Sequence, residues 1–265
     1  IGAGPAGMEA AVTLKQRGFD VVVFDKRDEI GGNLHVAKKP PFKGKFEWAI
    51  DYYKSMAKKL NITMKLGKEV TAQEVLALKP YSILVATGSN VISIPLEGLD
   101  QVQTVQAHDV LANDMQFANK KVVVIGGGIT GLETALYINR QGTNQVSVVD
   151  MLPEWPVDML DMRYQNEALL EVRHCNDQGV ALFYNNKVVK FADGKLFIES
   201  TKDGEVKELP ADVIVLSVGV KPNDALWQEL LASGHPSVWK AGDAIATGKI
   251  NKAVLHGSKF GYSLN

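Results

Sequence analysis

The sequence has little cysteine, little net charge and no long apolar run. Its single cysteine, Cys175, excludes an internal disulfide framework, a CxxC redox pair and a cysteine-ligated cluster formed by this chain alone. The 29 Lys and Arg residues against 30 Asp and Glu residues argue against a basic nucleic-acid-binding surface or a polybasic membrane patch. Apolar runs stay far below the ~20 residues of a membrane span, and no signal peptide is recognisable. We therefore expect a cytoplasmic protein with neither nucleic acid nor membrane as a partner.

The sequence does contain a series of short runs rich in Val and Ile. Such runs are typical of strands buried on both faces of a parallel sheet, and they span residues 21–24, 82–86, 122–125, 146–149 and 213–218. Helix-like stretches lie between them, at residues 5–17, 46–60 and 130–141. A glycine, Gly18 or Gly142, follows two of these stretches, as is common where a helix ends.

The order strand, glycine turn, helix, strand occurs twice, over residues 2–25 and 126–150, and each copy predicts a βαβ unit. Between residues 185 and 210, three short strand-like runs and two Asp-Gly turns predict a small antiparallel β-meander. The predicted fold is therefore α/β, with two Rossmann-like dinucleotide-binding domains. We place the first domain at residues 1–104 and 226–265, and the second, with the meander, at 105–225, inserted in the first.

The first glycine turn (GAGPAG, residues 2–7) has the G-x-G-x-x-G spacing of a dinucleotide-binding loop. Gly2 allows the tight turn, Gly4 lets the backbone approach a pyrophosphate, and Gly7 lets the helix pack on the strand. The helix N-terminus then offers free N–H groups to the phosphates. Asp25 ends the next strand, where a carboxylate accepts hydrogen bonds from ribose hydroxyls.

The second glycine turn (GGGITG, residues 126–131) lies in the same context, and Asp150 ends the strand that follows its helix. A charge-assisted hydrogen bond to a ribose 2′-hydroxyl is worth roughly 1.5–3 kcal/mol, whereas a 2′-phosphate would meet a like charge. Met151 and Leu152 follow where an NADPH site often carries an arginine. The second site is therefore predicted to favour NADH over NADPH.

Three further turns place small or acidic residues after predicted strands. Ligands of open α/β sheets bind at the carboxyl ends of the strands, so these turns are candidate parts of the two sites. They are Ala86-Thr87-Gly88, Gly219 with the residues after it, and Gly242-Asp243.

These five elements in this order resemble the two-dinucleotide-binding flavoprotein superfamily. The resemblance implies that FAD is held by Gly2, Gly4, Pro5, Ala6, Gly7, Asp25, Lys26, Gly32, Asn33, Ala86, Thr87, Gly88, Gly242 and Asp243. It implies that the nicotinamide dinucleotide is held by Gly126, Gly128, Ile129, Thr130, Gly131, Asp150 and Gly219. It also implies that Glu133 lies near the nicotinamide. No other residue of this chain is expected to be catalytic.

Short stretches of sequence narrow the resemblance to 2,4-dienoyl-CoA reductase and its NADH:flavin oxidoreductase relatives of the Old Yellow Enzyme type, including trimethylamine dehydrogenase. The stretches that carry it are DKRDEIGGN (residues 25–33), GLETA (131–135) and GVKPND (219–224). Members have an N-terminal TIM barrel with FMN and an iron–sulfur cluster, which would be the partner of this chain. The start at Ile1 suggests a fragment whose first strand is truncated. A homo-oligomer is a further expectation.

Two functions of different class remain open from the sequence. One is a reductase module that passes hydride from NADH to FAD and electrons onward to the absent barrel, which reduces an enoyl-type substrate. The other is a non-catalytic nucleotide-holding domain with an ADP-type ligand. A disulfide reductase is disfavoured because Cys175 is alone. We also expect a solvated loop at residues 38–45, and either core or interdomain packing for Trp48, Tyr52 and Tyr53.

Overall fold

The computed structural model describes residues 1–153 and 165–265 of the chain. These residues form two compact units. Unit 1 comprises Ile1–Lys38, Lys45–Asn90 and Val220–Asn265, and unit 2 comprises Lys39–Gly44 and Val91–Gly219. Apart from Lys39–Gly44, the chain enters unit 2 after Asn90 and leaves it after Gly219, whereas the sequence patterns predict these crossings after residues 104 and 225.

The elements follow one another along the chain. The first part contains α1 (Pro5–Gln16), β1 (Val22–Phe24), α2 (Leu34–Ala37), α3 (Glu47–Lys59), β2 (Thr63–Lys65), α4 (Ala72–Ala77), β3 (Ile83–Val85) and β4 (Ser89–Val91). The middle part contains β5 (Gln103–Gln106), α5 (Ala107–Ala112), β6 (Lys121–Ile125), α6 (Ile129–Asn139), β7 (Gln145–Val149), α7 (Gln165–Asp177), β8 (Ala181–Phe183), β9 (Asn186–Ala192), β10 (Lys195–Ser200), β11 (Val206–Pro210) and β12 (Val213–Leu216). The last part contains β13 (Val220–Pro222), α8 (Ala225–Ala232), β14 (Val238–Lys240) and α9 (Ile250–Ser263).

In unit 1, two short parallel pairs, β1 with β2 and β3 with β14, form the sheet. The first residues of the chain join both pairs by hydrogen bonds. Gly2 N–H donates to Phe24 O at 2.7 Å, and Ala86 N–H donates to Ile1 O at 2.7 Å. The chain therefore reaches the glycine turn between β1 and β3, which puts that turn at the carboxyl ends of both strands.

In unit 2, five parallel strands form one sheet in the order β5-β12-β6-β7-β8. All four residues of β12 are buried, as the Val and Ile runs predict for a central strand covered on both faces. The predicted meander is confirmed: β9, β10 and β11 pair antiparallel. Asp193 and Gly194, with φ of +50° and +73°, form the turn between β9 and β10.

The helix that follows each glycine turn starts within one residue of its predicted position and ends one or two residues earlier than predicted. Pro5 occupies the first turn of α1, where its missing N–H has no partner to lose. Gly18 and Gly142 follow α1 and α6 with φ of +88° and +97°, conformations that glycine adopts without strain. α1 packs against α9 at very short range, because a Cβ on Gly257 would lie 2.2 Å from Ala6 O.

Some expectations about individual side chains and boundaries were wrong. Trp48 and Tyr52 lie on the solvent side of α3, 68% and 48% exposed, and only Tyr53 packs in the core. The last predicted strand ends at Leu216 rather than at residue 218. Within the two described ranges, no helix has the length and apolar character needed to cross a membrane.

Candidate functional site

The first glycine turn is shaped by contacts that leave no room for side chains. Gly2 has a φ of +107°, and a Cβ there would lie 2.2 Å from Ala86 O. A Cβ on Gly7 would lie 1.9 Å from Gly2 O. Glycine at both positions therefore brings the end of β3, the turn and the start of α1 into direct backbone contact.

Asp25, directly after β1, is fixed by the backbone of this turn. Its Oδ2 accepts the N–H of Ala3 at 2.6 Å, and its Oδ1 accepts the N–H of Arg27 at 2.8 Å. A carboxylate has about four lone-pair sites, so two remain for a ligand. The side chain of Lys26, the next residue, is 61% exposed, and its Nζ lies 4.0 Å from Glu69.

A second pair of glycines closes over the turn. Gly31 N–H donates to Ala3 O at 2.9 Å, and a Cβ on Gly32 would lie 2.8 Å from the Cα of Gly4. Asn33 follows as the N-cap residue of α2. The structure thus brings Gly32 against Gly4, although the two are far apart in the sequence, and Asn33 directly follows Gly32.

Asp243 lies in a short 3-10 turn (Gly242–Ala244) after β14. A Cβ on Gly242 would lie 3.0 Å from the Cβ of Ala6, so this turn contacts the start of α1. Asp243 Oδ1 accepts the Gly248 N–H at 3.1 Å, and burial raises the pKa of the carboxyl. Ser89 Oγ lies 3.4 Å from its other oxygen.

The turn after β3 is held by the turn after β13. The hydroxyl of Thr87 donates to Asn223 O at 2.6 Å, and Asn223 N–H donates to Gly88 O at 3.0 Å. The Thr87 side chain therefore supports the loop, and its backbone is what faces the glycine turn.

Taken together, the unit 1 residues fit a dinucleotide such as FAD. The free N–H groups of α1 and the side-chain-free surface at Gly4 suit a pyrophosphate. The remaining lone pairs of Asp25 suit ribose hydroxyls. Asp243 supplies a second carboxyl from the turn after β14, whose Gly242 contacts the start of α1.

Unit 2 repeats this geometry almost distance for distance. Gly126 has a φ of +108°, and a Cβ there would lie 2.2 Å from Ser217 O; a Cβ on Gly131 would lie 1.9 Å from Gly126 O. Asp150 Oδ2 accepts the N–H of Gly127 at 2.5 Å. Gly128, in contrast, has nothing within 4 Å of an added Cβ, so its surface is open for a ligand.

Two residues near this second glycine turn were not predicted from the sequence patterns. Ser217 occupies the place that Ala86 has in unit 1, and the parallel between ILVATG and VIVLSVG around them could have revealed it. Tyr184 follows β8, and its Cε1 would lie 3.1 Å from a Cβ on Gly127. No pattern around Tyr184 indicated that contact.

The three residues after Asp150 that the structure describes, Met151 to Pro153, carry no charged side chain. Leu152 N–H donates to Asp150 Oδ1 at 2.8 Å, and Met151 and Leu152 are exposed apolar residues. Thr130 is exposed at the start of α6, where its carbonyl accepts the Thr134 hydroxyl at 2.7 Å. Ile129, beside it, is buried, and Gly219 has a φ of +101° after β12.

Glu133, on α6, forms an ion pair that the sequence patterns did not predict. Its side chain is only 12% exposed and lies 2.9 Å from Lys43 Nζ. Burial raises the pKa of Glu133, and Lys43 partly offsets this. The expected solvated loop at residues 38–45 is therefore wrong for Lys43, which is itself 19% exposed.

Cys175 lies inside α7, where it is fully buried with its Sγ 3.8 Å from Leu132 O. Burial raises the pKa of the thiol to about 12, so it holds its proton at neutral pH. Among residues 1–153 and 165–265, no cluster of three or more His, Cys, Asp or Glu side chains could hold a metal ion.

Comparison with known proteins finds relatives that are named as oxidases or reductases. The chain is 31% identical over its whole length to an NADH oxidase of Thermoanaerobacter brockii, of which it covers 40%. It is 35% identical to a bilirubin reductase of Mediterraneibacter gnavus over 84% of this chain and 34% of that protein. A solved complex of 2-naphthoyl-CoA reductase with 2-naphthoyl-CoA matches 99% of this chain and 39% of its own, with a TM-score of 0.87 and 28% identity.

The chain thus spans about 40% of the length of the first of these relatives. A family model described as pyridine nucleotide-disulphide oxidoreductase matches residues 1–256. The resemblance to two-dinucleotide-binding flavoproteins is confirmed, and so is the α/β fold class. The chain belongs to the pyridine nucleotide-disulphide oxidoreductase family, whose members bind FAD and NAD(P)H.

Proposed function

We propose that this chain is the NADH-oxidising flavin reductase part of a larger flavoenzyme. One observation carries the proposal: the same hydrogen-bonded pairing of glycine turn and strand-end carboxylate occurs twice, at Ala3–Asp25 and at Gly127–Asp150. Two such pairings provide two dinucleotide sites, which is what transfer between a nicotinamide and a flavin dinucleotide requires.

Unit 1 is proposed to hold FAD, which when bound supplies the hydride acceptor of the reaction. The N–H groups at the start of α1 would bind the pyrophosphate, and Asp25 would accept the ribose hydroxyls. Asp243 would accept a hydroxyl of the ribityl chain. These residues position the ligand, and none of them has to exchange a proton with substrate.

Unit 2 is proposed to hold NADH, with Gly128 giving the pyrophosphate access to the start of α6. Asp150 would accept the 2′-hydroxyl of the adenosine ribose. A 2′-phosphate would instead meet the carboxylate, with the uncharged Met151 and Leu152 beside it. NADH is therefore the preferred reductant, by roughly the 1.5–3 kcal/mol of one charge-assisted hydrogen bond.

A partner part of the same polypeptide is proposed to complete the enzyme. The relatives are about two and a half times longer than the matched region, and their names describe an oxidase and reductases. We propose an N-terminal TIM barrel with FMN and an iron–sulfur cluster that reduces an enoyl-type substrate. The cluster ligands would come from that part, because Cys175 is alone and buried.

The disulfide chemistry in the family name is not proposed for this chain. A disulfide substrate needs a reactive thiol pair, and the sequence has one cysteine. With a pKa near 12 and no exposed surface, Cys175 would contribute almost no thiolate at neutral pH.

The test is an absorption spectrum of the purified protein, followed by anaerobic addition of NADH and of NADPH to separate samples. We expect a flavin band that NADH bleaches faster than NADPH does. Asp25→Ala should lose the flavin, whereas Asp20→Ala, at an exposed residue paired with Lys15, should keep it. A protein that stays colourless after incubation with FAD would contradict the proposal and favour a nucleotide-holding domain.

A further inference from the structure

Residues 39–44 form a short strap that belongs to unit 2, although the residues on both sides of it belong to unit 1. Lys39 Nζ lies 2.5 Å from Asp114, and the ring of Phe42 lies 4.5 Å from the guanidinium of Arg140. Phe42 has a φ of +68°, which costs a bulky residue free energy. Several contacts thus hold the strap against local backbone strain.

One ammonium group of the strap, that of Lys43, contacts carboxylates on α6 and α7. Lys43 Nζ lies 2.9 Å from Glu133, 2.6 Å from Glu167 and 3.9 Å from Glu171. Glu171 is 7% exposed and Glu133 is 12% exposed, so these carboxylates have lost most of their contact with water. Among the described residues, Lys43 is the one cation within ion-pair distance of Glu133.

The charges of this cluster depend on one another. Burial disfavours the ammonium form of Lys43, but its hydrogen bonds with Glu167 and Glu133 outweigh burial and raise the pKa of Lys43. Burial raises the pKa of Glu171, whose other oxygen lies 3.7 Å from His174 Nδ1. Removing the ammonium would therefore leave buried carboxylates without their main counter-charge.

Glu133 is close to the place where the second dinucleotide is proposed to bind. It is the fifth residue of α6, so its Cα lies only about 6 Å along the helix axis from the first residue. The N-terminus of α6 attracts a pyrophosphate, but an uncompensated carboxylate within a Debye length of roughly 8–10 Å would repel it. Arg140, about two turns beyond Glu133 at the C-cap of α6, stacks on Phe42 instead.

We propose that Lys43 is a positioning residue for dinucleotide binding: by neutralising Glu133, it allows an anionic dinucleotide to occupy the N-terminus of α6. This inference rests on the proposed function, because it assumes that unit 2 binds NADH. Lys43 acts through Glu133 and does not have to touch the ligand. The strap therefore couples a segment far from the glycine turn to the affinity of that turn.

The test compares NADH binding to Lys43→Met and to the wild type by isothermal titration calorimetry between about pH 6 and pH 8.5. We expect Lys43→Met to bind about fivefold more weakly at the high pH, the end of the range that most favours the ionised form of Glu133. The difference should shrink as the pH falls, because burial raises the pKa of Glu133 and protonation removes the charge that repels the ligand. Lys43→Arg should bind like the wild type, since it keeps the charge.

Two further variants separate charge from packing. Lys39→Met removes the other ion pair of the same strap and should leave NADH affinity unchanged. The double variant Lys43→Met with Glu133→Gln should bind NADH more tightly than Lys43→Met alone at the high pH, because the carboxylate on α6 is gone. Glu133→Gln alone keeps the test interpretable if Lys43→Met does not fold, as it should bind NADH at least as tightly as the wild type.

Three results would overturn the inference. They are equal affinity of Lys43→Met and wild type at high pH, a loss that does not change with pH, and a loss that the double variant does not reduce. Failure of the proposed function gives a different result, because the wild type itself would then bind no NADH at any pH.

Discussion

The backbone N–H of Gly127 donates a 2.5 Å hydrogen bond to the carboxylate of Asp150. The equivalent bond in unit 1, from Ala3 to Asp25, is 2.6 Å long. In each unit the glycine turn thus orients the acid that is proposed to bind ribose. A preorganised acceptor costs little ordering entropy when a ligand binds, so both sites are built before a ligand arrives.

Replacing Asp150 by Ala should relax the choice between NADH and NADPH. The variant loses the acceptor for the 2′-hydroxyl and the charge that opposes a 2′-phosphate. The ratio of kcat/KM for NADH to that for NADPH should fall by about tenfold or more. Steady-state diaphorase assays with each nucleotide measure it. Asp177→Ala, which removes an exposed acid of α7, is the control, and an unchanged ratio in Asp150→Ala would contradict the assignment.

Gly131 and Gly128 should separate packing from ligand access. Ala at Gly131 would place a Cβ 1.9 Å from Gly126 O, so we expect a loss of at least about 3 kcal/mol in the free energy of unfolding. Ala at Gly128 meets nothing within 4 Å, so stability should change little while NADH binding weakens. Urea unfolding and NADH titration of both variants test this. Equal destabilisation of the two would show that the turn is not packed as described.

The elements that sequence predicts best here are those fixed by local rules. The run at residues 122–125 became β6 (Lys121–Ile125), and the helices after both glycine turns start within a residue of their predicted positions. Periodicity and glycine spacing carry this information because strand burial and tight turns depend on neighbouring residues.

What sequence did not predict depends on contacts between distant residues. Lys43 and Glu133 form an ion pair across 90 positions of sequence, and nothing local to residues 38–45 distinguishes a bound lysine from a solvated one. The expectation that Trp48 and Tyr52 pack in the core was wrong for a related reason. Their helical spacing is that of a packed face, but only Tyr53 of that aromatic group faces the core.

Cys175 should be dispensable for electron transfer. Full burial and a pKa of about 12 predict that iodoacetamide at about pH 8 leaves the folded protein unmodified, since the thiolate is the reactive form. Cys175→Ala should keep NADH-dependent dye reduction within about twofold of the wild type, with a stability loss of roughly 1 kcal/mol from the small cavity. Mass spectrometry and the dye assay test both points. Loss of turnover with retained folding would assign a redox role to this thiol.

Asp243 should make the ligand-free protein less stable as pH rises. Burial raises the pKa of its carboxyl, so the folded state binds a proton that the unfolded state releases, and the stabilising contribution is lost as pH rises through the raised pKa. Asp243→Asn cannot ionise. At neutral pH it should therefore unfold at a higher temperature than the wild type, by an amount equivalent to about 0.5 kcal/mol, because the partly exposed site is screened by solvent.

The same variant should retain FAD less well, because it lacks the acceptor proposed for the ribityl chain. Asp203→Asn is a control whose effect on stability should have the opposite sign. The Ser200 hydroxyl lowers the pKa of the Asp203 carboxyl, so removing this carboxylate should make the protein less stable at neutral pH. Thermal melts between about pH 4 and pH 8, with flavin content measured by absorbance, follow both effects. A wild type and Asp243→Asn that melt in parallel across this range would show that Asp243 does not titrate differently in the folded state.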